Sequence, residues 1–218
     1  MQESSLHSRL KRFYTQDGGF TEMWVDGYLI DVVKGDQLIE IQTGNFGALR
    51  TKLDHLLKQF QVRLVYPIAR EKHIVLKDRE YTLLSRRKSP KRGRVEHVFH
   101  ELVHITSVLD HPNFSLEVVI TSEEEERIKD GLGSWRRGGI SILDRRLVGI
   151  LERTLFKTPL DYLAILPETL DQEFTNSDLS TTLKVPLRLA SKISFCLYQM
   201  RLLDKAGRRG RALLYLKK

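Results

Sequence analysis

Apolar positions along this chain follow two rhythms that alternate. Leu6, Leu10, Phe13 and Tyr14 fall on one stripe at helical spacing, which predicts a helix over residues 4–16. From Phe20 to Thr43 the spacing shortens to β runs broken by two turn dipeptides, Asp26-Gly27 and Gly35-Asp36. Phe46, Leu49, Leu53, Leu56, Leu57 and Phe60 return to helical spacing, and Arg63–Ile68 reads as a buried strand. The order to this point is α-β-β-β-α-β. Beyond it the pattern predicts a hairpin over 73–84, a helix over 95–110 and a strand over 114–121. Gly131 to Gly139 reads as a loop, so 131–157 is expected to be a connecting segment. From residue 158 the chain reads as helical: one helix over Leu160–Leu170, a second over Asp178–Lys184 capped by Ser177, and a third opening at Pro186. The third helix would reach about Leu203, with Leu189, Ile193, Leu197 and Met200 on its stripe, before a basic glycine turn and the strand-like Ala212–Leu216. The fold class expected is α/β: a mixed sheet with an αβββαβ core over 1–130, then a small separate domain over 158–218.

The two turns also predict a register. If each is a two-residue hairpin loop, Val25 faces Tyr28 and Lys34 faces Gln37, which sets Glu22 opposite Asp31 and Asp31 opposite Glu40. Opposed residues share a face, so Glu22, Asp31 and Glu40 are expected in one row, with Gln42 two residues along it. The other face would collect Met23, Val25, Tyr28, Ile30, Val32, Ile39 and Ile41 as core. Three aligned carboxylates repel one another, and a divalent cation with oxygen ligands resolves that repulsion; solvent-facing acids on a half-exposed sheet are the plainer reading.

Asp31-x8-Glu40-Ile41-Gln42, after one helix and before the next, resembles the active-site signature of the PD-(D/E)XK nuclease superfamily. The resemblance implies a nuclease-like core in which Asp31, Glu40 and Gln42 are catalytic and Asp31, Glu40 and auxiliary Glu22 hold Mg2+ or Mn2+. There the metal would supply an activated water for phosphodiester hydrolysis. Two positions depart from the family pattern: Ile30 precedes Asp31 where proline is usual, and Gln42 replaces lysine. Glutamine carries no positive charge, so Lys34 or Lys52 would have to substitute, or the site binds DNA without cutting it.

Charge sharpens this reading. The chain of 218 residues carries a formal net charge of +8, and Phe174–Lys218 alone holds ten basic and two acidic residues. A second basic run, Arg86 to Arg94, includes Arg87, Lys91 and Arg92. Local positive fields attract phosphate polyanions, although a merely solvated basic surface also accounts for one such run. The helices and basic hairpin of 158–218 resemble a winged helix-turn-helix. That resemblance implies Arg188, Ser191 and Lys192 near base edges and Arg208, Arg209 and Arg211 on phosphates, with contacts between proteins as the bland alternative.

The expected function is therefore a metal-dependent DNA endonuclease, with a catalytically inactive DNA-binding regulator or accessory subunit as the alternative. A third reading comes from His100-Glu101-Leu102-Val103-His104, which matches the zinc protease pattern His-Glu-x-x-His but has no clear third ligand; His111 lies seven residues on and Glu123–Glu126 read as a charged run after a strand. Trp135-Arg136-Arg137 is an aromatic beside arginines, suited to stacking on bases or to packing. The lone Cys196 excludes an internal disulfide and suits a reducing compartment. No apolar run approaches the ~20 residues of a membrane span, and the polar start is unlike a secretory signal, so the expectation is a cytoplasmic protein with double-stranded DNA as partner and no membrane contact. The sequence leaves open whether it forms a homodimer.

Overall fold

The computed structural model describes residues 4–218, and its first elements follow the predicted αβββαβ order. Helix α1 (Ser5–Tyr14) begins where the Ser4 hydroxyl accepts the His7 backbone N–H, and it buries Leu6, Leu10 and Tyr14. Strands β1 (Phe20–Val25), β2 (Tyr28–Lys34) and β3 (Gln37–Ile41) form an antiparallel meander. Val25 pairs with Tyr28 and Lys34 with Gln37, as the turn dipeptides require. A 3-10 turn over Phe46–Leu49 leads into α2 (Arg50–Leu56), and β4 (Gln61–Lys77) then runs parallel to β3.

The remaining strands are much longer than expected. β5 (Leu83–Lys88) folds back on β4, β6 (Phe114–Ser134) runs parallel to β4, and β7 (Ile140–Phe156) returns antiparallel along β6. The sheet order is β1-β2-β3-β4-β6-β7, with β5 paired to β4 off that path. Residues 131–157 are thus not a connecting segment: they finish one long hairpin and supply a strand of the main sheet. Only its tip, a 3-10 turn over Trp135–Arg137, matches the predicted loop.

The helix expected over 95–110 is broken. Its only α-helical part is α3 (Phe99–Leu102), flanked by 3-10 turns at Val95–Val98 and Thr106–Val108. β-branched Val103, Ile105, Thr106 and Val108 lower helix propensity through that stretch. Likewise α4 (Pro159–Leu163) stops well short of Leu170, because Pro167 disfavours helical backbone at the residue before it. Beyond it lie β8 (Glu173–Thr175), α5 (Asn176–Leu183), α6 (Leu187–Gln199), β9 (Leu203–Arg209) and β10 (Ala212–Lys217), with the strands in the order β8-β10-β9. Thr175, not Ser177, caps α5, and Asp178 closes the capping box back onto Thr175.

Apolar side chains cover both faces of the large sheet. On one face Leu6 and Leu10 of α1 meet Val32, Ile39, Ile41, Val65 and Val119. On the other, Ile30, Leu38, Val62 and Leu64 meet Leu53, Leu56, Phe99 and Leu102, and this core continues through Tyr162, Leu189 and Ile193. The segment from 158 onward therefore shares its interior with the sheet and is not a separately cored domain. Each fully buried side chain of this size contributes roughly 1.5–3 kcal/mol.

Charge is buried too, and it is paired. Glu117 of β6 is 1% exposed and accepts from Arg153 of β7 and Arg63 of β4. Glu123–Glu126, read from sequence as a charged run after a strand, lie inside β6: Lys72 reaches Glu123 and Glu125, Arg86 and Arg146 reach Glu124, and Lys77 reaches Glu126. Removing one partner of such a buried group strands the others. Glu117→Ala should lower unfolding free energy by about 3–5 kcal/mol in urea titrations; a loss below about 1 kcal/mol would mean the carboxylate is dispensable.

Candidate functional site

Asp31 sits at mid-strand in β2, where the sheet's two-residue alternation slips. Ile30 belongs to the α2-side core and Val32 to the α1-side core, so Asp31 and Val32 both turn toward α1. Opposite this point Glu22 has φ 57°, in the left-handed region. The Asp31 carboxylate accepts from His7 Nε2 at 3.0 Å and from the Ile41 backbone N–H at 2.8 Å, and Lys11 Nζ lies 3.3 Å away. The same Lys11 ammonium donates to Glu22 Oε1 at 2.9 Å, bridging the two acids. Burial works to raise the Asp31 pKa, but His7, the Ile41 amide and the Lys11 charge outweigh it and hold the carboxyl below its ordinary value.

Glu40 takes the other layer. It alternates with Ile39 and Ile41 along β3 and meets α2, where Lys52 Nζ donates to its Oε1 at 2.6 Å and to the Leu29 carbonyl at 2.6 Å. Burial raises the Glu40 pKa in spite of Lys52, and the nearby Asp31 charge adds to the rise. The predicted row of Glu22, Asp31 and Glu40 on one face does not form, nor does the single apolar face behind it. The reason is that helices cover both sides, so Ile30 and Val32 serve different cores. Gln42 lies just past β3 and donates to the Gly44 carbonyl at 2.5 Å.

Cations of the protein itself resolve the repulsion that a metal was expected to resolve. Asp31 is held by an imidazole, an ammonium and an amide, and Glu40 by a second ammonium on its Oε1. As the side chains stand, Asp31 and Glu40 face opposite layers of the sheet, each with a lysine ammonium beside it. Among the described residues no three His, Cys, Asp or Glu side chains gather as a metal site. The zinc pattern fails on geometry as well. Helix α3 ends at Leu102, so His100 and His104 do not share a helix face, and Glu101 Oε2 accepts the Phe46 backbone N–H at 3.1 Å.

Two clefts adjoin at the β6–β7 hairpin. The first, about 780 Å³, is lined by His7, Lys11, Glu22, Gln42 and the hairpin residues Ile142 to Arg145. The second, about 790 Å³, shares Ile142 and Arg145 with it and is strongly basic. Lys72, Arg87, Lys91, Arg92, Arg127, Arg137 and Arg145 line this groove against a single carboxylate, Glu125. Glu125 is 2% exposed and forms the floor, with Lys72, Arg127 and Arg145 within 3.2 Å of it. Predicted Arg87, Lys91 and Arg92 thus belong to one concave surface. Lys72, Arg127, Arg137 and Arg145 were not expected there. Of these only Arg145 left a signal in the sequence, an opposite-charge register in which Glu124 and Glu125 pair with Arg146 and Arg145, and that register shows itself only once β6 and β7 are seen to form a hairpin.

The C-terminal residues divide. Arg208, Arg209 and Arg211 are exposed around the β9–β10 turn, with Arg209 Nη1 3.0 Å from Asp178. Arg188 is exposed near the start of α6. By contrast Ser191 Oγ donates to the Leu187 carbonyl one turn back in α6 at 2.9 Å, and Lys192 Nζ donates to the His100 carbonyl at 2.9 Å, where α6 packs against α3. Those two side chains are spent on the protein's own backbone. Cys196 is fully buried, and burial pushes its thiol up to about 12.

A family model described as "Domain of unknown function (DUF8091)" matches residues 4–157. An uncharacterized protein of Treponema pallidum (strain Nichols) is 30% identical over 222 residues, covering 99% of this chain and 85% of the relative. No solved structure matches.

The contacts of Asp31 make acid sensitivity predictable in sign. Its pKa is lower folded than unfolded, so the stabilisation is complete above the ordinary value of 3.8 and is lost as pH falls through the folded value. Asp31→Asn should therefore flatten the acid limb of the stability profile below about pH 4, measured by thermal unfolding. Parallel acid limbs in both proteins would show that His7 and Lys11 do not stabilise the charged form.

Proposed function

The chain belongs to this family, and from the geometry of the basic groove we propose that it binds the phosphate backbone of double-stranded DNA there, as a nuclease-like regulator or accessory subunit without hydrolytic chemistry. The observation that carries the reading is the groove itself, where seven cationic side chains face one buried carboxylate across a concave surface. Such a surface binds a polyanion by releasing its counterions, independently of base sequence. The exposed arginines of the β9–β10 turn, together with Arg188, add positive charge elsewhere on the molecule. The helix pair α5–α6 followed by that hairpin supports a winged helix-turn-helix as the second DNA-contacting part. Lys192, bound to the His100 carbonyl, would not read bases there.

A second reading, divalent-metal-dependent cleavage, is favoured by one specific observation. Asp31 on β2 and Glu40 on β3 occupy adjoining strands of an αβββαβ order, and the Lys52 ammonium stands against Glu40 where Gln42 supplies no charge. The ion pairs that these acids already make argue against it.

One experiment separates the two. Wild type and an Arg87→Ala, Lys91→Ala, Arg92→Ala triple variant are titrated onto a fluorescent duplex at several salt concentrations. The triple variant should bind more weakly on every sequence, with the salt slope shallower by about 1 for each phosphate no longer neutralised. Binding identical to wild type would exclude the groove as the DNA-binding surface. In parallel, plasmid is incubated with Mg2+ or Mn2+: no cleavage is expected, whereas cleavage abolished by both Asp31→Ala and Glu40→Ala would establish the nuclease reading instead.

A further inference from the structure

The β6–β7 hairpin runs past the end of β4 and carries two of the most exposed apolar side chains of the described residues at its tip. Leu132 is 86% exposed and Trp135 83%. Neither packs against the body of the protein, which excludes the packing role that an aromatic beside arginines otherwise suggests. The tip is also well built. Gly133 N–H donates to the Gly139 carbonyl at 3.0 Å, and Gly138 N–H to the Trp135 carbonyl at 3.0 Å. A Cβ on Gly133 would lie 1.9 Å from the Ile140 carbonyl oxygen, so the two strands approach there as only glycine permits. Asp130 braces the base of the tip, accepting from the Leu132 N–H at 2.9 Å and from Ser141 Oγ at 3.0 Å.

Charge connects this tip to the groove. The Arg136 guanidinium lies 5.5 Å from the Trp135 ring centroid, and the next residue, Arg137, lines the basic groove. A flat aromatic face, backed by one arginine and adjoining a phosphate-binding surface through another, matches a nucleobase that has left its stack. A base inside a closed duplex offers no free face, and a wedge side chain gains one only where the step opens.

We infer that Trp135 stacks on unpaired or unstacked bases beside a backbone held in the groove, so that the preferred ligand is DNA with a locally opened or single-stranded stretch. This rests on the DNA-binding reading above and adds the form of DNA that is selected.

The test compares three fluorescent probes of equal length with the full chain: a closed duplex, the same duplex with a central run of mismatches, and a single strand. Wild type should bind the mismatched duplex about tenfold more tightly than the closed one, the size expected of one base–aromatic stack. Trp135→Ala should lose that preference while keeping its affinity for closed duplex, and Trp135→Phe should retain most of it. In a Trp24→Phe background, which leaves Trp135 as the only tryptophan, the mismatched duplex should quench the remaining fluorescence. Equal binding of open and closed probes by wild type, or equal losses on both in Trp135→Ala, overturns this inference and leaves the groove reading standing. Failure of wild type to bind any of the probes overturns both. Binding to vesicles containing phosphatidylserine that depends on Trp135, with no preference among the DNA probes, would assign the tip to a lipid surface instead.

Discussion

Strands β4, β6 and β7, at 17, 21 and 17 residues, outrun the helices that cover them, and the structure depends on what fills the uncovered length. Leu116, Val118, Val119 and Ile120 are clamped between the helical layers, and apolar packing dominates there, with Glu117 and its two arginines as the one buried charge cluster among them. Further along β6 that packing ends and ion pairs take over, with Glu123 to Glu126 matched to Lys72, Lys77, Arg86, Arg145 and Arg146 on the strands beside them. Each such charge is costly to bury alone and tolerable only as part of the set. The set is what lets the sheet project as ordered strand, and both the basic groove and the hairpin tip exist only because it does.

The same rule operates at the acidic end of the molecule. Asp31 looks like a ligand waiting for a metal when read in a line of letters, yet in space it is a staple. It takes the Ile41 amide that an unbroken β2–β3 ladder would have satisfied, and it binds α1 through His7 and Lys11. Glu40 and Lys52 join β3 to α2 in the same manner. The two carboxylates thus fasten the two helical layers to the sheet from opposite sides. Any cation entering between them would have to displace ammonium groups already in place.

Much of the scaffold was legible because local chemistry decided it. Asp26-Gly27 and Gly35-Asp36 fixed two hairpin registers, and the stripe Leu6–Leu10–Tyr14 fixed the buried side of α1. The face assigned to the acids was wrong because alternation was extended through Asp31, and a slip of one residue there reverses every side chain on one side of it. The long hairpin was mistaken for a linker because its glycines and charges resemble a loop, whereas the pairing of Glu125 with Arg145 that makes it a strand is non-local. Arg87, Lys91 and Arg92 were identified by composition alone, but the rest of their groove comes from Lys72 upstream and from Arg127, Arg137 and Arg145 downstream, and needed the fold. The bond from Lys192 to the His100 carbonyl was illegible for a related reason: nothing local to either helix signals that α3 docks on α6.

That docking has a mechanical meaning. A core running unbroken from Leu53 to Tyr215, with the Arg94 guanidinium on the Leu183 carbonyl and Lys192 on that of His100, leaves no hinge between the sheet and the C-terminal helices. The positive groove and the arginine turn of the last hairpin are therefore set at a constant separation, like the jaws of a caliper locked at one opening. A partner long enough to touch both must present its charges at that span, or bend until it does.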